Sequence, residues 1–274
     1  MNRLRAVHAV FCKQFIQTMR YPTWIIQLII WPLIFPLVYI LSAMSMGGTD
    51  KSGFRSFEAV TGTSNYAGFI IIGTMAWMWV NIIMWDYGTF LRDEQMRGTL
   101  ESNWLCPINK IDILIGGGIM PFLMSIMVNI VSMAEYRLIY GIHFKGSILE
   151  WAFLFIVMIP AVYGFGMLFA SLILWAKEAN AAVNVARGAM MILCGITFPI
   201  TIMPEWMQFL AKGLPFTYGI AACRQVMING EGIGSAGYNI GMCLLEGIIL
   251  IALGVFAFKC TEKKVKNSGS LERF

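Results

Sequence analysis

Charge is scarce in this chain: charged residues make up 13% of the 274, against 58% hydrophobic residues, with a mean hydropathy of +0.70. A soluble domain cannot bury so much apolar surface, so the bilayer must be the solvent. Histidine is rarer still, and the two present, His8 and His143, fall at opposite faces of the expected membrane, which excludes a shared metal site. The six cysteines, Cys12, Cys106, Cys194, Cys223, Cys243 and Cys260, show no CxxC pair or metal spacing and are expected as free thiols acting as small apolar side chains. No GxxxxGK[ST] string occurs, since the nearest stretch, residues 48–52, lacks the spacing, and this excludes a phosphate loop. Residues 1–21 lack the short apolar core and cleavage site of a signal peptide, so the chain is expected to be intact, with its first span as insertion signal. No internal repeat is visible, which weighs against a carrier built from inverted repeats.

What the chain has instead is long uncharged runs. Residues 21–49, 59–85, 113–134 and 151–176 each exceed the ~20 residues of a spanning helix. A fifth run, 188–204, reaches that length when extended back through 181–187, with Arg187 snorkelling to an interface. The sixth, 238–258, carries one charge, Glu246. The expected fold is therefore an all-α polytopic membrane protein, a single domain over residues 1–274. Its six transmembrane helices fall at about 23–46, 66–90, 111–134, 150–175, 181–200 and 238–259. Pro32 and Pro36 are expected to kink the first.

With a cytoplasmic N-terminus, fourteen of the twenty Lys and Arg lie inside: Arg3, Arg5, Lys13, Arg20, Arg92, Arg97, Lys110, Lys177, Arg187, Lys259, Lys263, Lys264, Lys266 and Arg273. That bias places both termini and residues 92–107 in the cytoplasm, and makes the net charge of +5 a topology signal rather than a nucleic-acid footprint. Residues 1–21 carry Leu4, Val7, Phe11 and Phe15 at helical spacing, which fits an interfacial helix at the inner membrane surface or a simple topogenic anchor.

The polar segment 92–107, RDEQMRGTLESNWLCP, interrupts two spans. Met96, Leu100 and Trp104 recur every fourth residue, so a short amphipathic helix is expected over 92–105. Gly98 in its middle implies either a break or the close approach of a neighbouring backbone. By periodicity alone the helix could rest on lipid or meet a partner.

Residues 201–230 are apolar but broken by Pro204, Gly213 and Pro215 and charged at Glu205, Lys212 and Arg224. They are expected as a re-entrant hairpin of two short helices dipping into the outer leaflet. Glu246 is a costly charge inside a span, facing a seam or pathway, or hydrogen-bonded to Asn81 or Asn129. Most tryptophans suit an aromatic belt, but Trp77 and Trp79 lie deeper and could stack on a sugar or planar drug. Asp86, with Arg92 near it, reads as interfacial, and Gly116, Gly117 and Gly118 as a site of close helix packing.

The string RGTLESNWLCPINKIDILIGG resembles the stretch after the second span of ABC transmembrane type-2 permeases, with Glu94, Gly98, Thr99, Leu100, Glu101, Pro107 and Lys110 at the family's positions. Trp104 and Cys106 depart from the smaller or aliphatic residues usual there. A second likeness lies in Phe198, Pro199, Pro204, Trp206, Leu214, Pro215, Phe216 and Thr217, and the resemblance covers nearly the whole chain. It implies that 92–105 is a coupling helix docking in a groove of an ABC ATPase subunit through Glu94, Gly98, Thr99, Leu100, Glu101, Trp104 and Pro107. Pro204, Trp206 and Pro215 would shape the re-entrant hairpin, and Trp77, Trp79, Asn81 and Glu246 are candidates for the pathway or seam. The resemblance further implies no cofactor in this chain, with ATP and Mg on the partner ATPase. It implies a second permease in a homodimer or heterodimer, contact with membrane lipid but not nucleic acid, and a bacterial inner membrane. The expected role is that of the non-catalytic permease subunit of an exporter for a drug, antibiotic, lipid or lipid-linked glycan. A six-span channel or proton-coupled carrier is the alternative.

Overall fold

The computed structural model describes residues 3–46, 52–61, 63, 65–176 and 179–268. Among the described residues, five helical stretches are long and apolar enough to cross a membrane: α2 (Thr23–Met46), Tyr66–Met96, which begins with α4 (Tyr66–Ile82), α7 (Lys110–Leu138), α8 (Ile148–Ala176) and α12 (Gly237–Ser268). An amphipathic helix, α1 (Arg3–Arg20), precedes them, and α3 (Ser52–Thr61) follows α2. Between α4 and α7 lie a π turn at Ile83–Tyr87 and two short helices, α5 (Phe90–Met96) and α6 (Leu100–Leu105). Between α8 and α12 lie α9 (Ala179–Leu193), α10 (Glu205–Lys212) and α11 (Pro215–Arg224), with a second π turn at Gln225–Asn229.

The span expected at 181–200 is not one continuous helix. α9 ends at Leu193, and its fifteen residues reach about 22 Å, short of the ~30 Å hydrocarbon core. Hydropathy misses the cause, which is local: Gly195 adopts φ +65°, and Pro199 follows in extended backbone. α12, in contrast, runs about nine residues beyond its expected end, carrying Lys259, Lys263 and Lys264 on the helix.

α4 is the centre of the bundle, buried almost throughout from Gly68 to Val80. α8 and α12 pack along much of their length because small residues let the backbones meet. A Cβ on Gly164 would lie 2.5 Å from the Ile251 nitrogen, one on Gly247 2.7 Å from the Ala161 nitrogen, and one on Gly254 2.9 Å from the Gly164 oxygen. The contacts advance together along both helices, so α8 and α12 run parallel. The glycine triplet of α7 receives a different neighbour at each residue: Val10 of α1 against Gly116, Phe90 against Gly117, Tyr163 and Tyr87 against Gly118. Tyr163 also donates to the Gly118 carbonyl at 2.6 Å.

Both prolines of the first span lie inside α2. One turn before Pro36, the Leu33 carbonyl accepts from the Tyr140 hydroxyl at 2.6 Å, a side-chain remedy of the kind proline-bearing membrane helices rely on.

Candidate functional site

The segment after α4 folds as an elbow rather than as one helix. Gly98, at φ +70°, separates α5 from α6, and nothing lies within 4 Å of a Cβ built on it, so the glycine serves a break and not a close approach. The expected apolar stripe is divided accordingly. Leu100 and Trp104 turn into the core at 1% and 8% exposure, while Met96 stands 62% exposed. Glu94 is buried as well. Of the seven residues the sequence points to a partner, Gly98, Glu101 and Pro107 are open to solvent, Thr99 is half-buried, and Glu94, Leu100 and Trp104 face inward. The free surface of the elbow adds Met96, Arg97, Ser102, Leu105 and Cys106, which motif matching passed over. Leu105 is 80% exposed, an uncovered leucine flanked by polar side chains.

Glu94 is the hub behind that surface. Its Oε2 accepts from Thr99 Oγ1 at 2.8 Å, from Asn103 Nδ2 at 3.0 Å, and from Lys13 Nζ. One carboxylate thus joins α1, α5 and α6. Two more contacts flank it: Arg97 donates to Gln17 at 3.3 Å, and Arg3 pairs with buried Asp112 at 3.4 Å. Arg3, Ala6, Val10, Lys13 and Gln17 fall three or four residues apart and form the face of α1 that meets the protein. Leu4, Phe15, Ile16 and Met19 remain exposed on the other side. The sequence sees the amphipathic character of α1 but not the partners of its polar face, because those lie some 80 to 110 residues away in the chain.

A second locus is a cavity of about 500 Å³ between α2, α4, α7 and α9. Trp24, Trp31, Trp77 and Trp85 line it together with Asn81, Asp86 and Arg187. The π turn re-aims the chain at the lower end of α4, where Gly88 N donates to Ile83 O at 2.8 Å, and it carries Trp85 and Asp86 into the lining. Trp77 stacks on Phe35 at 4.2 Å, with the Arg187 guanidinium 5.1 Å from its ring, so it offers the cavity an edge rather than an open face. Arg187 therefore turns to the cavity, where the sequence has it snorkelling to an interface. Trp79 stacks on Phe155 at 3.9 Å and lies outside this lining. Glu246 is likewise apart, its electrostatic neighbours being Tyr218 and Cys243. Asn129 donates to Ser125 O within its own helix, and Asn81 faces the cavity. Among the four expected pathway residues, the structure brings together Trp77 and Asn81 only.

At the other end, Arg224 closes a junction that sequence reasoning used only as an outer charge. Its guanidinium donates to Phe69 O at 3.0 and 3.1 Å, to Gly195 O at 2.8 Å and to Ile196 O at 2.8 Å, and lies 3.3 Å from the Phe69 ring centroid. The Gly195 and Ile196 carbonyls are those freed where α9 breaks, and Phe69 belongs to α4, so the arginine satisfies the break and ties it to the central helix. Within the expected hairpin, Pro204 precedes α10, Trp206 is 65% exposed, and Pro215 opens α11 at its first turn. α11 sits among α4, α8 and α12.

Among the described residues, no group of three His, Cys, Asp or Glu could hold a metal ion.

Residues 48–256 match the ABC-2 family transporter protein family. Among curated proteins, the chain is similar to the probable multidrug ABC transporter permease YbhR of Escherichia coli, in strains K12 and O157:H7, at 23% identity over 164 residues in each. That alignment takes in 60% of this chain and 45% of the relative, so the chain matches a little under half the length of these relatives. With the family match extending over most of its residues and five apolar helical stretches of spanning length among the described residues, the chain is a multi-pass membrane protein belonging to the ABC-2 transporter family.

Proposed function

We propose that the chain is the permease subunit of an ABC exporter, a single permease domain that moves a hydrophobic or amphipathic substrate outward on ATP hydrolysed elsewhere. The observation that carries this is the α5–α6 elbow, whose exposed face of Met96, Glu101, Leu105 and Pro107 is tied at its back to α1, α7 and α8. Such an element can receive a push and pass it to the spans. The receiving partner is an ABC ATPase subunit holding ATP and Mg, and a second permease, identical or related, completes the pathway. The relatives' description as probable multidrug permeases favours drug-like cargo within the wider set of drugs, antibiotics, lipids and lipid-linked glycans. Family membership favours an ATP-driven machine over a channel or proton-coupled carrier.

In this reading there are six crossings. The parallel run of α8 and α12 supports the sixth, because the chain leaving α8 must return to the opposite side before entering α12, and α9 is the element available. The segment from Ile200 to Asn229 then forms the outer re-entrant hairpin, α1 lies at the inner surface with its apolar face on lipid, and both termini are cytoplasmic in a bacterial inner membrane. Cysteine labelling tests this arrangement. Exposed Cys106 and Cys260 should react only with reagent admitted to the cytoplasmic side, and a Ser235→Cys variant only from outside. Labelling of Cys106 from outside would overturn the topology.

The docking role has its own test. Leu105→Asp or Glu101→Lys should leave membrane insertion intact, because both side chains are exposed, yet lower ATP-driven transport about tenfold or more by spoiling the contact with the ATPase. Wild-type transport in both variants would remove the elbow from the interface.

A further inference from the structure

The cavity between α2, α4, α7 and α9 contains more polar chemistry than a gap between lipid-facing helices needs. Asp86 lines it with no ion pair among the described residues, and the charged group acting on it is another carboxylate, Asp93. Nine residues earlier on α4, about 13 Å along the helix, Trp77 meets Arg187. There the buried Trp77 Nε1 and the Arg187 Nε have no hydrogen-bond partner, and neither does the Asn81 Oδ1 that lines the cavity between the two ends. Indole rings at Trp24, Trp31 and Trp85 supply the wall.

We propose, building on the permease reading above, that this cavity binds an elongated amphipathic cation with its positive end at Asp86 and a hydrogen-bond acceptor at its far end, toward Arg187 and the Trp77 N–H. An unpaired carboxylate beside indole rings attracts an organic cation through charge and π-electron density together. The deep end has donors seeking an acceptor, so a plain lipophilic cation uses only half of the site. A phospholipid headgroup fits poorly, since its opposite charges stand a few bonds apart whereas the cavity separates its own by the length of two to three helical turns. The volume of about 500 Å³ matches a ligand of drug size.

The test is equilibrium binding to the purified permease in phosphatidylcholine nanodiscs without ATPase, using rhodamine 6G, a cation bearing an ester, and tetraphenylphosphonium, a cation with no acceptor. Asp86→Asn should weaken both by about tenfold or more, and Arg187→Gln should weaken rhodamine 6G several-fold while leaving tetraphenylphosphonium no weaker. Glu246→Gln, which removes a span carboxylate outside the cavity, should change neither, and elution of every variant as one symmetric peak guards against misfolding. Binding unaffected by Asp86→Asn, an equal loss in Glu246→Gln, or preferential binding of anionic fluorescein would each overturn the proposal. Because no ATPase takes part, failure here leaves the exporter assignment intact. A permease that binds rhodamine 6G at Asp86 but never couples to ATP hydrolysis would instead remove the exporter and keep the site.

Discussion

Arg224→Met should cost more than about 5 kcal/mol, enough to unfold the end of the bundle where α4, α9 and α11 meet or prevent accumulation of the protein. The cost comes from the hydrogen bonds the guanidinium donates to Phe69, Gly195 and Ile196. A hydrogen bond to a charged group contributes about 1.5–3 kcal/mol, and each carbonyl left unpaired away from water costs a further ~1–3 kcal/mol. No carboxylate pairs with Arg224 among the described residues, so its charge is balanced by carbonyl dipoles and the Phe69 ring. Lysine cannot substitute, because three carbonyls around a planar fork do not match the compact ammonium. Arg224→Lys should therefore recover only part of the loss. Gly73→Ala attacks the same junction from the other side, placing a Cβ 2.1 Å from the Ile196 oxygen and 2.8 Å from Arg224 Nη2. Thermal denaturation in detergent, followed by loss of the monodisperse peak, measures all three. The two sites share their partners, so the double variant should be little worse than the worse single one. A native midpoint for Arg224→Met would show that the hairpin is held by apolar packing alone.

That junction also marks the limit of what the amino-acid sequence discloses. Long uncharged runs locate α2, α7, α8 and the start of α4 to within a few residues, because a bilayer leaves a helix as the natural solution for such a run, but they do not foresee the π turn that ends α4 at Ile82. The glycine triplet of α7 is legible for a similar reason: three adjacent residues without side chains are useful mainly where other elements come close. The break after α9 is not legible, since hydropathy averages over Gly195 and says nothing of an arginine 29 residues later that takes its carbonyl. The elbow is half legible. Its position, polarity and break point can be read from Met96, Gly98 and Leu100, yet which side faces out depends on Lys13, 81 residues before Glu94. The cavity is the least legible feature, because Asp86, Trp77 and Arg187 meet only after α4 and α9 have packed.

Glu94 bears most directly on how force would travel. Glu94→Ala should destabilise the junction of α1 with the elbow by about 2–4 kcal/mol, somewhat under the usual cost of breaking a fully buried ion pair. The Lys13 side chain is 35% exposed and can recover water, whereas the Glu94 side chain is 1% exposed. The loss falls on three elements at once, since Thr99 and Asn103 of the α6 end and Lys13 of α1 all donate to the same oxygen. The other oxygen has no hydrogen bond, with Arg97 Nη1 at 4.0 Å, so among the described residues no second set of contacts joins the three elements at this point. Glu94→Gln should be milder, because its amide oxygen can still accept from Thr99 and Asn103 while the pairing with Lys13 is lost. A double-mutant cycle of Glu94→Ala with Lys13→Met isolates that pairing and should return a coupling of about 1–3 kcal/mol. The mechanical consequence is separable from the energetic one. If α1 follows the elbow through Glu94, spin labels at exposed Leu4 and Leu105 should give one narrow distance distribution in the wild type and a broad one in Glu94→Ala. Transport should then fall further than protein yield. A narrow, unchanged distribution would mean that Val10 against Gly116 and the Arg3–Asp112 pair hold α1 unaided, leaving Glu94 to shape the elbow alone.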